Sequence, residues 1–133
     1  ISTSKYGEGS EEGSNKTPLG AHYIKSYIGK DIDPLTIFQN RKPINKKTEI
    51  IKEQKYSDGD IISSRILWLE GLEEGKNKGE NIDTYQRYIY IHGTNEEGML
   101  GKKSSHGCIR MGNSDIIDLC SKEICNIFVY ISK

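Results

Sequence analysis

The segment Ser104-Ser105-His106-Gly107-Cys108-Ile109-Arg110-Met111 places a thiol two residues after one histidine, and a second histidine, His92, lies sixteen residues before it. A free thiol titrates near 8.5, so only a few per cent is thiolate at neutral pH. A histidine within hydrogen-bond reach can take the proton and leave a thiolate–imidazolium pair. Both His92 and His106 are candidates for that base, provided the chain between His92 and Cys108 turns back; Gly98 and Gly101 permit such a turn. Gly107 allows close backbone approach, so the N–H groups of Gly107 and Cys108 could face a developing oxyanion. Arg110 suits bidentate capture of a substrate carboxylate. These residue types in this spacing point to acyl transfer through a thioester. Zinc binding by His92, His106, Cys108 and His22 is the competing reading. No CxxC or HxxxH pair accompanies those residues, so no metal and no cofactor is expected.

Such a site needs rigid elements to hold it. Tyr88-Ile89-Tyr90-Ile91 is the core of an aromatic and β-branched run, Arg87 to Ile91, of strand length that leads directly into His92-Gly93. It is expected as a central strand covered on both faces. Ala21 to Ile28, Leu35 to Phe38, Ile61 to Leu69 and Ile127 to Ile131 also read as strands. Residues 1 to 20 are rich in glycine and serine and read as a loop, with Ile1 to Thr3 as the tail of a strand. Pro43 to Lys55 is polar and poorly periodic and reads as a loop with an extended piece near Glu49 to Ile51; Glu70 to Thr84 is a second polar loop. The one helix is expected from Ser114 to Lys122, with Asn113, Ser114 and Asp115 supplying its N-cap and first turn. This inventory predicts a mostly-β domain, a sandwich or partly closed barrel, with one helix after the cysteine.

The chain as a whole has 133 residues, enough for one domain with a single core. Hydrophobic residues are 34% and charged residues 29%, a globular composition that leans polar. Nineteen basic residues balance nineteen acidic ones, so nucleic-acid backbone binding is not expected. No apolar stretch is long enough to span a membrane. Three cysteines leave at least one thiol unpaired; Cys120 and Cys125 are expected as small buried apolar residues. Trp68, Tyr88 and Tyr90 read as core, Arg65 and Arg87 as ion-pair partners of the acidic residues.

His92-Gly93-Thr94 followed by Ser105-His106-Gly107-Cys108-Ile109-Arg110 resembles the signature of the L,D-transpeptidase catalytic domain family, the YkuD type. Lys16-Thr17-Pro18-Leu19-Gly20 with His22, Arg65-Ile66-Leu67-Trp68-Leu69 and Arg87 to His92 are similar to further family blocks. The resemblance runs from Thr3 to about Leu119. It implies one catalytic domain over residues 1 to 133, with the family's first strands lying before Ile1. By position it implies Cys108 as nucleophile, His92 as general base and later acid, and the Gly93 carbonyl as the group that orients the imidazole. Ser105, His106, Gly107 and Arg110 would line the acyl and oxyanion site, with His22 nearby. The implied substrate is a peptidoglycan stem tetrapeptide, and carbapenem-type inhibitors would acylate the same thiol. Terminal D-alanine leaves, and the amine of a second stem takes the acyl group. A hydrolytic L,D-carboxypeptidase or endopeptidase, or an inactive peptidoglycan-binding module, are the alternatives. The implied location is the bacterial cell envelope, outside the cytoplasmic membrane.

Overall fold

The computed structural model describes residues 1–124 and 126–133. Among the described residues there are seven strands: β1 Gly20–Ile28, β2 Thr36–Gln39, β3 Lys42–Lys47, β4 Ile62–Gly71, β5 Tyr90–Thr94, β6 Ile109–Met111 and β7 Phe128–Ile131. A 3-10 turn at Glu97–Met99 and the helix α1, Asn113–Leu119, complete the described elements. The strands form one sheet with the path β3-β2-β4-β1-β7, and β5 joins β4 and carries β6. The sheet is not closed. All pairings are antiparallel except β5 with β6, which is parallel. The protein is therefore mostly β with one short helix after the cysteine.

β4 anchors the sheet because its apolar residues serve two faces. Side chains alternate along a strand, so Leu67 and Leu69 go to one face while Ile66 and Trp68 go to the other. The first face joins Ile24, Ile91 and Ile109 to Ile116 of α1 in the larger core. The second gathers Phe38, Ile66 and Tyr90, with Ile28, Trp68 and Cys108 packed against them. The alternation in β5 follows the same rule, with Ile91 in the larger core and Tyr90 in the smaller one.

Three segments differ from the sequence expectation. Residues 42 to 47, expected as loop, form β3, the outer strand of a hairpin with β2. An edge strand exposed on both faces needs no apolar alternation, and Pro43 is tolerated at an edge. The strand expected at Arg87 to Ile91 starts later, at Tyr90, and runs on through His92 and Gly93 to Thr94. Arg87 and Tyr88 belong to a turn, closed by Arg87 N–H to Asp83 O and Tyr88 N–H to Tyr85 O, with Tyr88 at φ 56°. The helix is shorter than expected and starts one residue earlier; Gly112, with no capping side chain, is its N-cap. The Glu97 carboxylate takes the Asn113 N–H instead, at 2.8 Å.

The first residues do not pack as a full strand, but they buttress the cysteine segment. Ser2 and Arg110 exchange both backbone hydrogen bonds, at 2.8 Å each. Thr3 O accepts the N–H groups of Ser104 and Ser105, and Lys5 N–H reaches Ser105 O. Cys120 is a free thiol buried in the larger core. Cys125, expected as its small apolar companion, lies outside the described residues.

Candidate active site

The parallel pairing of β5 and β6 places His92 beside Arg110, with Ile91 beside Ile109. Alternation then puts Tyr90, His92, Cys108 and Arg110 on one face, while Ile91 and Ile109 turn to the core. Gly93 has to be glycine here: a Cβ would stand 2.6 Å from both Ser63 O and Asn113 Oδ1. The site is therefore built on a strand that crosses close to two neighbours.

His92 is buried, at 1% exposure, and its Nδ1 lies 2.7 Å from the Gly93 carbonyl. That carbonyl accepts the Nδ1 proton and so fixes the tautomer that leaves Nε2 with a lone pair. Burial lowers the His92 pKa; the Gly93 bond and the charge of Asp60 act against this, and Arg110 acts with it. The imidazole rests neutral at physiological pH. Cys108 is partly exposed as a residue, and its Sγ sits between two backbone groups of the β5 approach: it donates to Tyr88 O and accepts from Tyr90 N–H, both at 3.4 Å. Burial pushes its pKa up to about 12; the Tyr90 N–H lowers it, Asp60 raises it, and Arg110 and Arg87 lower it. No hydrogen bond joins the sulfur to His92. Both shifts favour the uncharged forms of the thiol and the imidazole in the free protein. Catalytic hydrogen bonds are often unformed before substrate binds.

Gly107, at φ 126°, makes the turn into the cysteine, and Thr17 Oγ1 donates to its carbonyl at 2.9 Å. This gives the Lys16-Thr17-Pro18 block a physical role. Ser105 Oγ donates to Cys108 O and receives the Gly107 N–H at 3.3 Å. The Gly107 N–H is thus engaged, whereas the Cys108 N–H has no backbone partner among the described residues.

Arg110 is placed differently from the expectation of a free carboxylate clamp. It is 2% exposed, and its guanidinium already binds two carboxylates: Asp60 at 2.8 Å through Nη2 and Glu96 at 2.7 Å through Nη1. Nη1 also approaches Ser104 Oγ at 3.3 Å, and Nε is buried without a partner. A substrate carboxylate could reach this guanidinium only by displacing Asp60. Asp60 also binds His106 Nδ1 at 3.1 Å. Burial opposes its ionisation, but His92, Arg110 and the His106 bond outweigh that and hold its carboxyl below the usual range. His106 is exposed and borders a cavity of about 190 Å³ with Glu12, Asn15, Arg87 and Tyr88.

His22 is fully buried at the start of β1, with Nδ1 on Gly20 O and Nε2 on Thr84 Oγ1. Nothing in these contacts brings it to the cysteine. Arg65 and Arg87 bind backbone carbonyls rather than acidic side chains: Arg65 that of Ile32, Arg87 those of Gly9 and Lys16. Tyr88, expected as core, is 52% exposed. No group of three or more His, Cys, Asp or Glu side chains able to hold a metal ion occurs among the described residues. Asp60 and Glu96, missed from the sequence, come from polar connections in which no local pattern marks them.

The fold is a mostly-β sheet whose parallel strand pair brings His92 and Arg110 side by side, with Cys108 immediately before β6. The L,D-transpeptidase catalytic domain, YkuD, matches residues 1–122, and the chain belongs to that family. The YkuD protein of Bacillus subtilis (strain 168) is 58% identical over 55 residues, 38% of this chain and 34% of that protein. The YkuD protein of Bacillus licheniformis is 55% identical over 36 residues, 27% of this chain and 22% of that protein. The matched segments thus span about a third or less of these relatives' lengths.

Proposed function

We propose that this domain is a peptidoglycan L,D-transpeptidase working through a Cys108 thioester. The observation that carries the reading is the His92 Nδ1 contact with Gly93 O on the strand beside Cys108, which leaves Nε2 as the free basic atom. As the donor peptide binds, the thiol leaves the Tyr88 carbonyl and gives its proton to His92 Nε2. The sulfur attacks the carbonyl that joins an L-centre to the terminal D-residue of a stem tetrapeptide. The unpartnered Cys108 N–H is the natural donor to the oxyanion that forms. When the C–N bond breaks, the imidazolium returns its proton to the departing amine, and D-alanine leaves. The amine of a second stem then gives up a proton to His92 and attacks the thioester; the C–S bond breaks as the cross-link forms, and the imidazolium returns the proton to the departing sulfur. A neutral base and a neutral thiol make the proton transfer part of the acylation step itself.

The substrate places the enzyme at the bacterial cell wall, outside the cytoplasmic membrane. Carbapenem-type β-lactams, with a strained acyl bond, would acylate the same sulfur. The deciding experiment incubates the protein with a disaccharide-tetrapeptide and follows products by mass spectrometry. A cross-linked dimer with loss of D-alanine is expected, and Cys108→Ala should abolish it; tripeptide alone means that water resolves the thioester, and product from Cys108→Ala would overturn the reading.

A further inference from the structure

With Arg110 occupied by Asp60 and Glu96, a different arginine stands ready for an anion beside the nucleophile. Arg41 sits in the two-residue turn between β2 and β3, flanked by the paired residues Gln39 and Lys42. Both turn residues have positive φ, 48° at Asn40 and 65° at Arg41. Asparagine and glycine adopt this conformation readily, but an arginine does so against its steric preference. The turn delivers the guanidinium onto an aromatic shelf. Its centre is 5.2 Å from the Trp68 ring centroid and 5.0 Å from that of Tyr88. Trp68 stacks in turn on Tyr85, with centroids 4.2 Å apart.

Arg41 Nη1 donates to Tyr90 Oη at 3.2 Å, and no carboxylate pairs with Arg41 among the described residues. The groups that raise its pKa are tyrosines alone, Tyr90 first and then Tyr88 and Tyr85. Two of the three residues that hold this cation also hold the Cys108 sulfur. Tyr90 binds Sγ with its N–H and Arg41 with its phenol oxygen. Tyr88 accepts from Sγ with its carbonyl and lies under the guanidinium with its ring. Tyr90 and Tyr88 thus link the cation to the sulfur, and most of its five N–H donors are unused.

We propose that Arg41 is a specificity-determining residue that binds the terminal carboxylate of the leaving residue in the donor peptide, with Trp68, Tyr85 and Tyr88 supporting the chain. The assignment rests on the acyl-transfer reading above. A guanidinium held in place by stacking and one hydrogen bond has little freedom left to lose when the carboxylate arrives. It also carries no internal counter-ion that the substrate must displace.

The test compares wild type, Arg41→Gln, Arg41→Lys and Arg41→Gly on two donors: a disaccharide-tetrapeptide with a free C-terminal carboxylate and its C-terminal carboxamide. Thioester formation and product are followed by mass spectrometry. Wild type should favour the free acid in kcat/KM by about tenfold or more, as expected for a charge-assisted contact. Arg41→Gln should bring the free acid down to near the carboxamide level, while the carboxamide changes much less. Arg41→Lys should keep part of the preference. Glycine fits the positive φ of the turn, so Arg41→Gly retains the hairpin and should behave like Arg41→Gln. Labelling of Cys108 by iodoacetamide reports whether the thiol is still in place. A preference that survives in Arg41→Gln, or an equal fall for both donors, overturns the assignment of Arg41 and leaves the thioester mechanism standing. Absence of any thioester with wild type overturns the acyl-transfer reading and the assignment with it.

Discussion

The pKa shifts of Cys108 and His92 both favour the neutral form, and burial is the largest cause of each. The thiol, pushed up to about 12, has almost no thiolate at neutral pH. In the free protein, labelling of Cys108 by iodoacetamide should therefore climb about tenfold per pH unit between pH 7 and 9 without levelling. A plateau below pH 8, read by mass spectrometry, would show a thiolate already formed. Acylation by a peptide donor should behave differently, because it needs only neutral His92. Its acid limb is expected below the ordinary histidine value of about 6.5, since the His92 pKa is lowered. Arg110 illustrates the opposite case, a charge stabilised in the interior by two carboxylates. Removing either partner would strand the other, which makes it a poor candidate for a mobile substrate clamp.

At the scale of elements, the site depends on how closely β5 passes β4 and α1. Asn113, the first helical residue, ties these together. Its Oδ1 accepts from Ser63 and Ser64 at 2.7 Å each, and its Nδ2 donates to Thr94 O at 2.7 Å and to Glu97 at 2.8 Å. Gly93 lies against this side chain, so Gly93→Ala would drive a methyl group into Asn113 Oδ1 and Ser63 O. Overpacking of this kind costs about 1–3 kcal/mol. The expected outcome is a lower urea midpoint together with a loss of thioester formation, because the Gly93 carbonyl that orients His92 must shift. A variant that lost stability but kept full acylation would show that the carbonyl does not orient the base. The hairpin β2–β3 contributes at the same scale, since its turn is what carries Arg41 across to the aromatic shelf.

For the whole molecule, buried histidines make folding sensitive to mild acid. His92 and His22 are both lowered in pKa, each mainly by burial. A lowered folded-state value means that the unfolded chain binds more protons as the pH falls below about 6.5, so stability declines in that window. The carboxylates held low, Glu8, Asp60, Glu70 and Glu73, add their loss only further down, as the pH falls below ordinary carboxylate values. The melting temperature should thus fall between pH 7 and pH 5 in calorimetry. His22→Gln, remote from the cysteine, should weaken that dependence without abolishing it. A melting temperature flat across this interval would mean that the histidines do not titrate with folding.

The cysteine segment and the strands around it were legible in the residues because their signals are local. Cys108 and His106-Gly107 adjoin in the chain, and the apolar runs at β1, β4 and β7 reflect faces that must be buried. The start of β5 was misplaced because Tyr88 has strand composition but sits in a left-handed turn. β3 was missed because a doubly exposed edge strand carries no apolar pattern. The partners of Arg110 could not be read at all. Asp60 precedes β4 and Glu96 follows β5, and only the sheet register brings their carboxylates to one guanidinium. The same holds for Arg41, polar in an unremarkable hairpin until the turn sets it on Trp68 and Tyr88. Composition and spacing determined which residue types stand at the candidate site. The tertiary structure decided which cation is neutralised and which has no carboxylate partner among the described residues, because charge pairing acts through space between residues far apart in sequence.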